Sequence, residues 1–560
     1  MASHARHGHC TSRGARRSFA MSRHDTVARA VRAVRTVAAI VFGAAATAAS
    51  AQRPTLVVMI TVDQMRADYL SVWRSQFTGG LARILRDGAV FTNAFQDHAN
   101  TETAPGHAAI LSGRYPYSTG IIANARGVNT PDAPLLESSD TGASPMRFHG
   151  TTLADWMHAR APATRVLSVS RKDRAAILPV APSHWPTALW YSPRQGVFTT
   201  STWYASALPA WVKEFNAERA TQRLAGRAWT LLLPESAYPE PDSVAGEARN
   251  NVVFPHTLSA DTARARVSLP EFPWMDSVTL ALALRGVGAM ELGAGDNRTD
   301  LLAVSLSTTD AIGHRWGPDS RELHDMVLRV DRYLGAFLDS LYALRGQRRV
   351  IVALTADHGV APAPEIASRF EHNEGATHVP ATEFRPALTD ARGALRSAGL
   401  DTTALRWEDL VLWLNHGLLN KPFAADALAR AFAAATRTLP GVQRSDVVAD
   451  LAHADTVADP IARRWLHMFT PGVDAYPGEI PLVAVTLAPL SVLGRGDVAT
   501  HGTPHDYDAH VPVAFLGAPF KPGERAERVG VVDIAPTLAA VLGIKPSEHV
   551  DGRILKEALR

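Results

Sequence analysis

Residues 55–63 read Thr-Leu-Val-Val-Met-Ile-Thr-Val-Asp, a β-branched run without a polar face that ends on an acid. A strand apolar on both sides belongs in the middle of a parallel sheet, with helices covering each face. Two later runs have the same form: Leu301–Leu306 leads into Asp310, and Val350–Leu354 leads into Asp357 and His358. Val511–Leu516 reads as a fourth strand, with His501 and His510 just before it. From Glu322 to Leu344 apolar residues recur at intervals of three and four, the helix period. Alternating strands and helices predict an α/β fold, an α/β/α sandwich around a central, mostly parallel sheet. Such sheets bind ligands beyond the carboxyl ends of their strands, where these acids and imidazoles fall.

A chain of 560 residues exceeds one simple core, so the sequence predicts a large domain with insertions. With 46% hydrophobic and 20% charged residues it is neither disordered nor fibrous. Two stretches, about 180–290 and 365–495, are richer in Trp, Pro and loop signals. They read as cap-like insertions within a catalytic domain of residues 52–560, without internal repeats.

Residues 1–51 differ from the rest: eight arginines, no lysine, one acid at Asp25, then the apolar stretch Val37–Ala48 and Ala49-Ser50-Ala51. A basic segment, a short apolar segment and small residues before a cut describe a signal peptide. The apolar run is shorter than the roughly 20 residues of a membrane anchor, so no stable membrane span is expected after removal. Arg16-Arg17-Ser18-Phe19 loosely resembles a twin-arginine signal, and Met21 is an alternative start. The net charge of +3 includes seven net positive charges in this segment, leaving −4 for the remainder. Without that basic excess, no nucleic acid partner is expected. The single cysteine, Cys10, also lies there, so any metal site must be built from His, Asp, Glu and hydroxyls. Periplasmic or secreted, bacterial, is the expected location.

The residues able to carry chemistry are Asp63, Thr103, Asp310, His314, Asp357, His358 and His501. Each has an ordinary alternative. An Asp after a strand serves as a turn former or helix cap, and Thr103, before Pro105, is equally suited to capping a helix. The pattern is more informative. Asp310-Ala-Ile-Gly-His314 places a carboxylate and an imidazole four apart, on one helical turn. Asp357 and His358 are neighbours that a strand would point oppositely, so the chain must turn, and Gly359 is expected to allow that turn.

Asp63 in its segment to Leu70, Thr103-Ala-Pro-Gly-His-Ala-Ala-Ile-Leu-Ser-Gly113, Thr308-Thr-Asp310-Ala-Ile-Gly-His314, Ala356-Asp357-His358-Gly359 and Thr500-His501-Gly502 occur in this order. In that order they resemble the alkaline phosphatase superfamily, and most closely its phosphate-irrepressible periplasmic alkaline phosphatases, related by fold to nucleotide pyrophosphatase/phosphodiesterases. The resemblance runs from about residue 54 to 555. It implies two Zn2+ ions, one held by Asp310, His314 and His501, the other by Asp63, Asp357, His358 and the Thr103 hydroxyl. It also implies that Thr103 is a nucleophile forming a phosphothreonine. Three imidazoles and three carboxylates suit zinc, and calcium or magnesium would want fewer imidazoles.

The segment Ser168–Pro179 resembles the family segment whose cations bind the extra charge of a monoester, placing Lys172 and Arg174 in that role. Asn124, in Gly120-Ile-Ile-Ala-Asn124, matches the residue whose amide contacts a phosphoryl oxygen. The expected activity is hydrolysis of small-molecule phosphate monoesters. The alternatives are a phosphodiesterase or nucleotide pyrophosphatase on the same two-zinc core and, from another class, a non-catalytic zinc- or phosphate-binding protein. A sulfatase needs Cys or Ser where this chain has Thr103, and the phosphoglycerate mutases of this fold use Ser with different spacing.

Overall fold

The structure, a computed structural model, describes residues 53–243, 252–370, 375–471, 478–494 and 499–560; the expected signal peptide, residues 1–51, lies outside them. The chain divides into two units, Met1–Arg53 and Pro54–Arg560, and the second holds the sheet and the candidate site.

The main sheet has nine strands: β1 (Leu56–Val62), β2 (Ala89–Phe91), β3 (Val166–Ser170), β4 (Thr187–Ser192), β5 (Val197–Thr199), β6 (Asp300–Leu306), β7 (Val350–Thr355), β8 (Val513–Leu516) and β9 (Gly523–Arg525). Their spatial order is β9-β2-β8-β7-β1-β6-β3-β4-β5. The five strands from β7 to β4 are mutually parallel, while β8 and β5 run antiparallel to their neighbours. All seven residues of β1 are buried, as its two apolar faces require. Burial of each large aliphatic side chain contributes about 1.5–3 kcal/mol. The fourth expected strand forms from Val513 onward and is one of the antiparallel ones.

The helices that matter for function are α1 (Thr103–Ser112), α2 (Asp173–Ile177), α3 (Trp274–Ala289), α4 (Thr308–Trp316) and α5 (Arg321–Arg345). The last matches the periodic stretch Glu322–Leu344 to within a residue at each end, its start capped by the Ser320 hydroxyl accepting from the Leu323 N–H at 3.1 Å.

The two stretches expected as insertions differ in kind. Residues 180–290 supply β4 and β5 to the main sheet, together with α3, which packs on β3 and β6. Residues 365–495 build a second, antiparallel sheet from Leu405–Glu408, Val411–Asn415, Glu479–Leu487 and Val442–Val447. That sheet packs around its own buried cluster, including Phe384, Leu395, Leu412, Phe432 and Val483.

Candidate active site

Three neighbouring strands deliver the site. The Asp63 N–H donates to the Leu306 carbonyl at 2.9 Å, extending the β1–β6 ladder. The chain then turns through Gln64, held at φ 63° in the left-handed region that few side chains adopt. The Gln64 N–H donates to Asp357 Oδ1 at 3.1 Å, tying the end of β1 to the end of β7. After β6 the chain enters α4, which carries Asp310 and His314 one turn apart, as their spacing predicted. The N-terminus of α4 is held by Asp276 on α3, whose Oδ1 accepts the Thr308 N–H at 3.2 Å and hydroxyl at 2.7 Å.

Thr103 is the first residue of α1, with Glu102 in the capping position, so it does not cap the helix itself. Every residue of α1 is buried. The helix lies so close to the end of β7 that a Cβ on Gly106 would stand 2.2 Å from the Asp357 carbonyl oxygen. Gly359 was expected to supply a permissive turn, but it is not among the residues with positive φ. It is required sterically, since a Cβ there would meet the Tyr507 carbonyl oxygen at 2.2 Å.

The side chains converge as follows. Thr103 Oγ1 lies 3.4 Å from His358 Nε2 and 3.2 Å from Lys172 Nζ. His358 Nε2 is 3.5 Å from both Asp63 Oδ1 and Asp357 Oδ2. His314 Nε2 is 3.4 Å from Asp310 Oδ1 and 3.2 Å from His501 Nε2. The far ring nitrogens are engaged by backbone carbonyls: His314 Nδ1 with Ala499 at 2.9 Å, His358 Nδ1 with Gly359 at 2.9 Å and His501 Nδ1 with Thr101 at 2.8 Å. An Nδ1–H donating to a carbonyl leaves the Nε2 lone pair facing the centre, the arrangement metal-binding imidazoles use.

Charge follows this geometry. Burial and the neighbouring Asp310 and Asp357 push the Asp63 carboxyl up to about 6. Burial acts to raise Asp310 and Asp357 too, but Lys172 and His314 outweigh it at Asp310, and His358 and His107 at Asp357, holding both well below the usual range. Burial, reinforced by His358 and His314, keeps His501 well below the ordinary imidazole value and therefore neutral.

Among the described residues, two groups each bring their ligand atoms within 4.8 Å of one another: Asp310, His314 and His501 in one, and Asp63, Asp310 and His358 in the other. The first is the triad implied for one ion. In the second, Asp310 stands where the resemblance implied Asp357, whose Oδ1 takes the Gln64 N–H at 3.1 Å and whose Oδ2 lies 3.1 Å from His107 Nδ1. The donor set fits metal ions. Among the described residues, buried Asp63 is met only by the cations and imidazoles of the cluster, with no backbone N–H or hydroxyl donating to either oxygen. The Lys172 ammonium lies 2.7 Å from Asp63 Oδ2 and from Asp310 Oδ2, a position that marks the anionic field of the cluster.

Lys172 is thus inside the cluster. Asn124 and Arg174 make no direct contact with it among the described hydrogen bonds. Asn124 Oδ1 accepts the Ala104 N–H at 2.9 Å. Arg174 Nη1 is 3.7 Å from Asp173, and its buried Nε has no hydrogen-bond partner.

Sequence reasoning missed four residues. Glu102 Oε2 accepts the Asn124 N–H at 2.6 Å, and burial pushes its carboxyl up to about 7. His107 Nδ1 is 3.0 Å from the Thr103 carbonyl, and its Nε2 is 3.0 Å from Ser305 Oγ. Arg171 Nε donates to the Ser307 carbonyl at 3.0 Å, with Nη2 3.4 Å from Asp310. Gln64 Nε2 reaches Asp310 Oδ1 at 3.4 Å. Glu102 and His107 adjoin or lie within the Thr103 motif, and Gln64 follows Asp63, so adjacency was the available signal.

Residues 57–398 match the family model described as type I phosphodiesterase / nucleotide pyrophosphatase. Alkaline phosphatase PafA of Elizabethkingia meningoseptica is 29% identical over 90% of this chain and 95% of its own. Alkaline phosphatase PhoV of Synechococcus elongatus is 31% identical over 91% and 93%, and alkaline phosphatase PhoK of a Sphingomonas species 32% identical over 90% and 91%. The crystal structure of wild-type PafA superposes with a TM-score of 0.81 at 27% identity, covering 91% of this chain and 99% of that one. By its motifs, sheet and near full-length relatives, the chain belongs to the type I phosphodiesterase/nucleotide pyrophosphatase family of the alkaline phosphatase superfamily.

Proposed function

We propose that this chain is an exported, zinc-dependent alkaline phosphatase that hydrolyses small-molecule phosphate monoesters through a phosphothreonine at Thr103. The observation that carries the reading is the position of the Thr103 hydroxyl. It opens a buried helix and lies within 3.4 Å of His358 Nε2 and 3.2 Å of Lys172 Nζ, amid the carboxylates of Asp63, Asp310 and Asp357 and three imidazoles.

Asp310, His314 and His501 would hold one ion, and Asp63, His358, Asp357 and Thr103 the other, with Asp310 placed close to both. When bound, two zinc ions supply Lewis-acid activation of a hydroxyl and neutralise charge on the entering and leaving oxygens. The remaining chemistry is the chain's own. The N-terminus of α1 favours negative charge on Thr103 Oγ1, which attacks phosphorus as it gives up its proton. The P–O bond to the alcohol breaks, the alcohol departs carrying a proton, and the phosphoryl group rests on Thr103. Water then attacks phosphorus, the Thr103 Oγ–P bond breaks, and inorganic phosphate and the free hydroxyl are restored.

With the carboxylates neutralised, the Lys172 ammonium and the Arg174 guanidinium are available to the two charged oxygens that distinguish a monoester from a diester. The Asn124 amide, its Oδ1 already taken by Ala104, offers its Nδ2 as a donor. Residues 365–495 are proposed to cap the site: Arg126, two residues beyond Asn124, pairs with Glu408 at 3.0 Å and Glu479 at 2.6 Å on the second sheet. Export rests on the composition of residues 1–51, and no described helix is long and apolar enough to cross a membrane.

A panel of monoesters, matching diesters and sulfate esters, assayed with added zinc, tests this reading. Preference for monoesters supports it. Preference for diesters replaces it with a phosphodiesterase, and zinc and phosphate binding without turnover replaces it with a binding protein.

A further inference from the structure

Glu102 occupies the capping position of α1, yet its side chain makes no cap hydrogen bond to that helix. Its carboxylate instead reaches across to another segment and accepts the backbone N–H of Asn124 at 2.6 Å. Asn124 reciprocates: its Oδ1 accepts the N–H of Ala104, the residue after Thr103, at 2.9 Å. The two bonds close a ring in which residues 102 and 104, on either side of Thr103, each hold one end of Asn124. An Asn whose backbone and carbonyl oxygen are both fixed has one orientation left for its amide, and Nδ2 is the only part of that side chain without a described partner. Asn100 Nδ2, donating to the Ile122 carbonyl at 2.9 Å, ties down the same loop two residues earlier.

We infer that Glu102 is the positioning residue for Asn124, fixing its amide against the phosphoryl group presented to Thr103. The inference rests on the proposed phosphatase reading and deepens it. When ionised, the Glu102 carboxylate makes a stronger, shorter hydrogen bond than a neutral acceptor, which suits a group that must hold a loop in register with a nucleophile. The bond between Asn124 Oδ1 and Ala104 N–H remains without Glu102, but a single bond leaves the loop free to pivot about it.

The test is a double-mutant cycle on the full, zinc-loaded protein, with a phosphate monoester as substrate and inorganic phosphate as inhibitor. Wild-type monoester turnover is measured first; its absence removes the phosphatase reading itself and is distinct from failure of the Glu102 inference. Glu102→Ala is expected to lower monoester kcat/KM about ten- to hundredfold, the range of one hydrogen bond to a charged group, and to weaken inhibition by phosphate in parallel. Glu102→Gln, which keeps an acceptor for the Asn124 N–H, is expected to recover most of that loss. In the Asn124→Ala background Glu102→Ala should cost less than threefold more, whereas in the Lys172→Ala background its full effect should persist. An undiminished Glu102→Ala effect in the Asn124→Ala background overturns the inference, as does a Glu102→Gln variant as impaired as Glu102→Ala. Bound zinc and unfolding midpoint, measured on every variant, separate mispositioning from misfolding: a loss that tracks zinc content also overturns it.

Discussion

Gly106→Ala adds one methyl group in the second turn of α1, and the geometry around it allows a quantitative expectation. The new Cβ would stand 2.2 Å from the carbonyl oxygen of Asp357, 2.8 Å from its carbonyl carbon and 2.9 Å from its Cα. All three are backbone atoms, so no side-chain rotation relieves the clash. To reach even 3.0 Å the helix and the end of β7 must part by about 0.8 Å. Thr103 rides on the helix, while Asp357 and His358 ride on the strand end, so the displacement falls between nucleophile and ligands. A misplacement approaching 1 Å at a reacting centre costs about a hundredfold in rate, and overpacking a closed core costs about 1–3 kcal/mol of stability. The assay is kcat/KM for a monoester at saturating zinc, with the thermal midpoint alongside. Gly288→Ala is the control: it lies on α3, nothing stands within 4 Å of its added Cβ, and it should be neutral or slightly stabilising. Wild-type activity in Gly106→Ala would refute the argument that this contact sets the position of Thr103.

Replacing Lys172 and Arg174 together with Ala should lower monoester kcat/KM at least about a hundredfold, since each loses a charge-assisted hydrogen bond, and leave diester hydrolysis within a few-fold; equal losses on both substrates would contradict the assignment. Removing zinc with a chelator should abolish turnover and lower the unfolding midpoint, because three buried carboxylates, Asp63, Asp310 and Asp357, would be left with Lys172 as the one described ammonium against them, and restoring zinc should reverse both; activity that survives chelation would exclude a metal role. Burial pushes Asp276 up to about 7, against the pull of its Thr308 hydrogen bonds. The folded protein therefore holds a proton that the unfolded chain releases near its ordinary value of about 4, so stability should fall as pH rises from about 4 to 7 and level off above. Glu102, pushed up to about 7, contributes a slope of the same sign, so Asp276→Asn should reduce the slope in thermal melts by one group's share, and an unchanged slope would show that Asp276 does not contribute.

Four strands of the central sheet were legible in the sequence because they are buried on both faces and so carry short, β-branched apolar runs. Asp63 and the Asp310–His314 pair were legible because strand ends and the helical turn fix where neighbouring residues point. The second sheet was not: Leu405–Glu408 and Val442–Val447 mix apolar with half-exposed charged residues, a weak pattern that reads as loop. Within 180–290, β5 is the edge strand of the main sheet, pairing antiparallel with β4 alone, while β4 pairs parallel with β3, so neither is the doubly flanked central strand that an unbroken apolar run marks. Glu102, Gln64 and Arg171 escaped for another reason. Their partners, Asn124, Asp357 and Asp310, are 22, 293 and 139 residues away in the chain, so only the folded sheet brings them together. Gly359 illustrates the same point, since its need for a missing side chain is set by Tyr507 on a distant segment.

The covalent step at Thr103 is the claim on which the rest depends, and rapid acid quenching during monoester turnover tests it most directly. Peptide mass spectrometry of the quenched protein should find one added phosphoryl group on the peptide carrying Thr103, absent from Thr103→Ala, which should also lose turnover. A protein that carries no such label at any stage of turnover, while Thr103→Ala releases phosphate at the wild-type rate, would contradict the account.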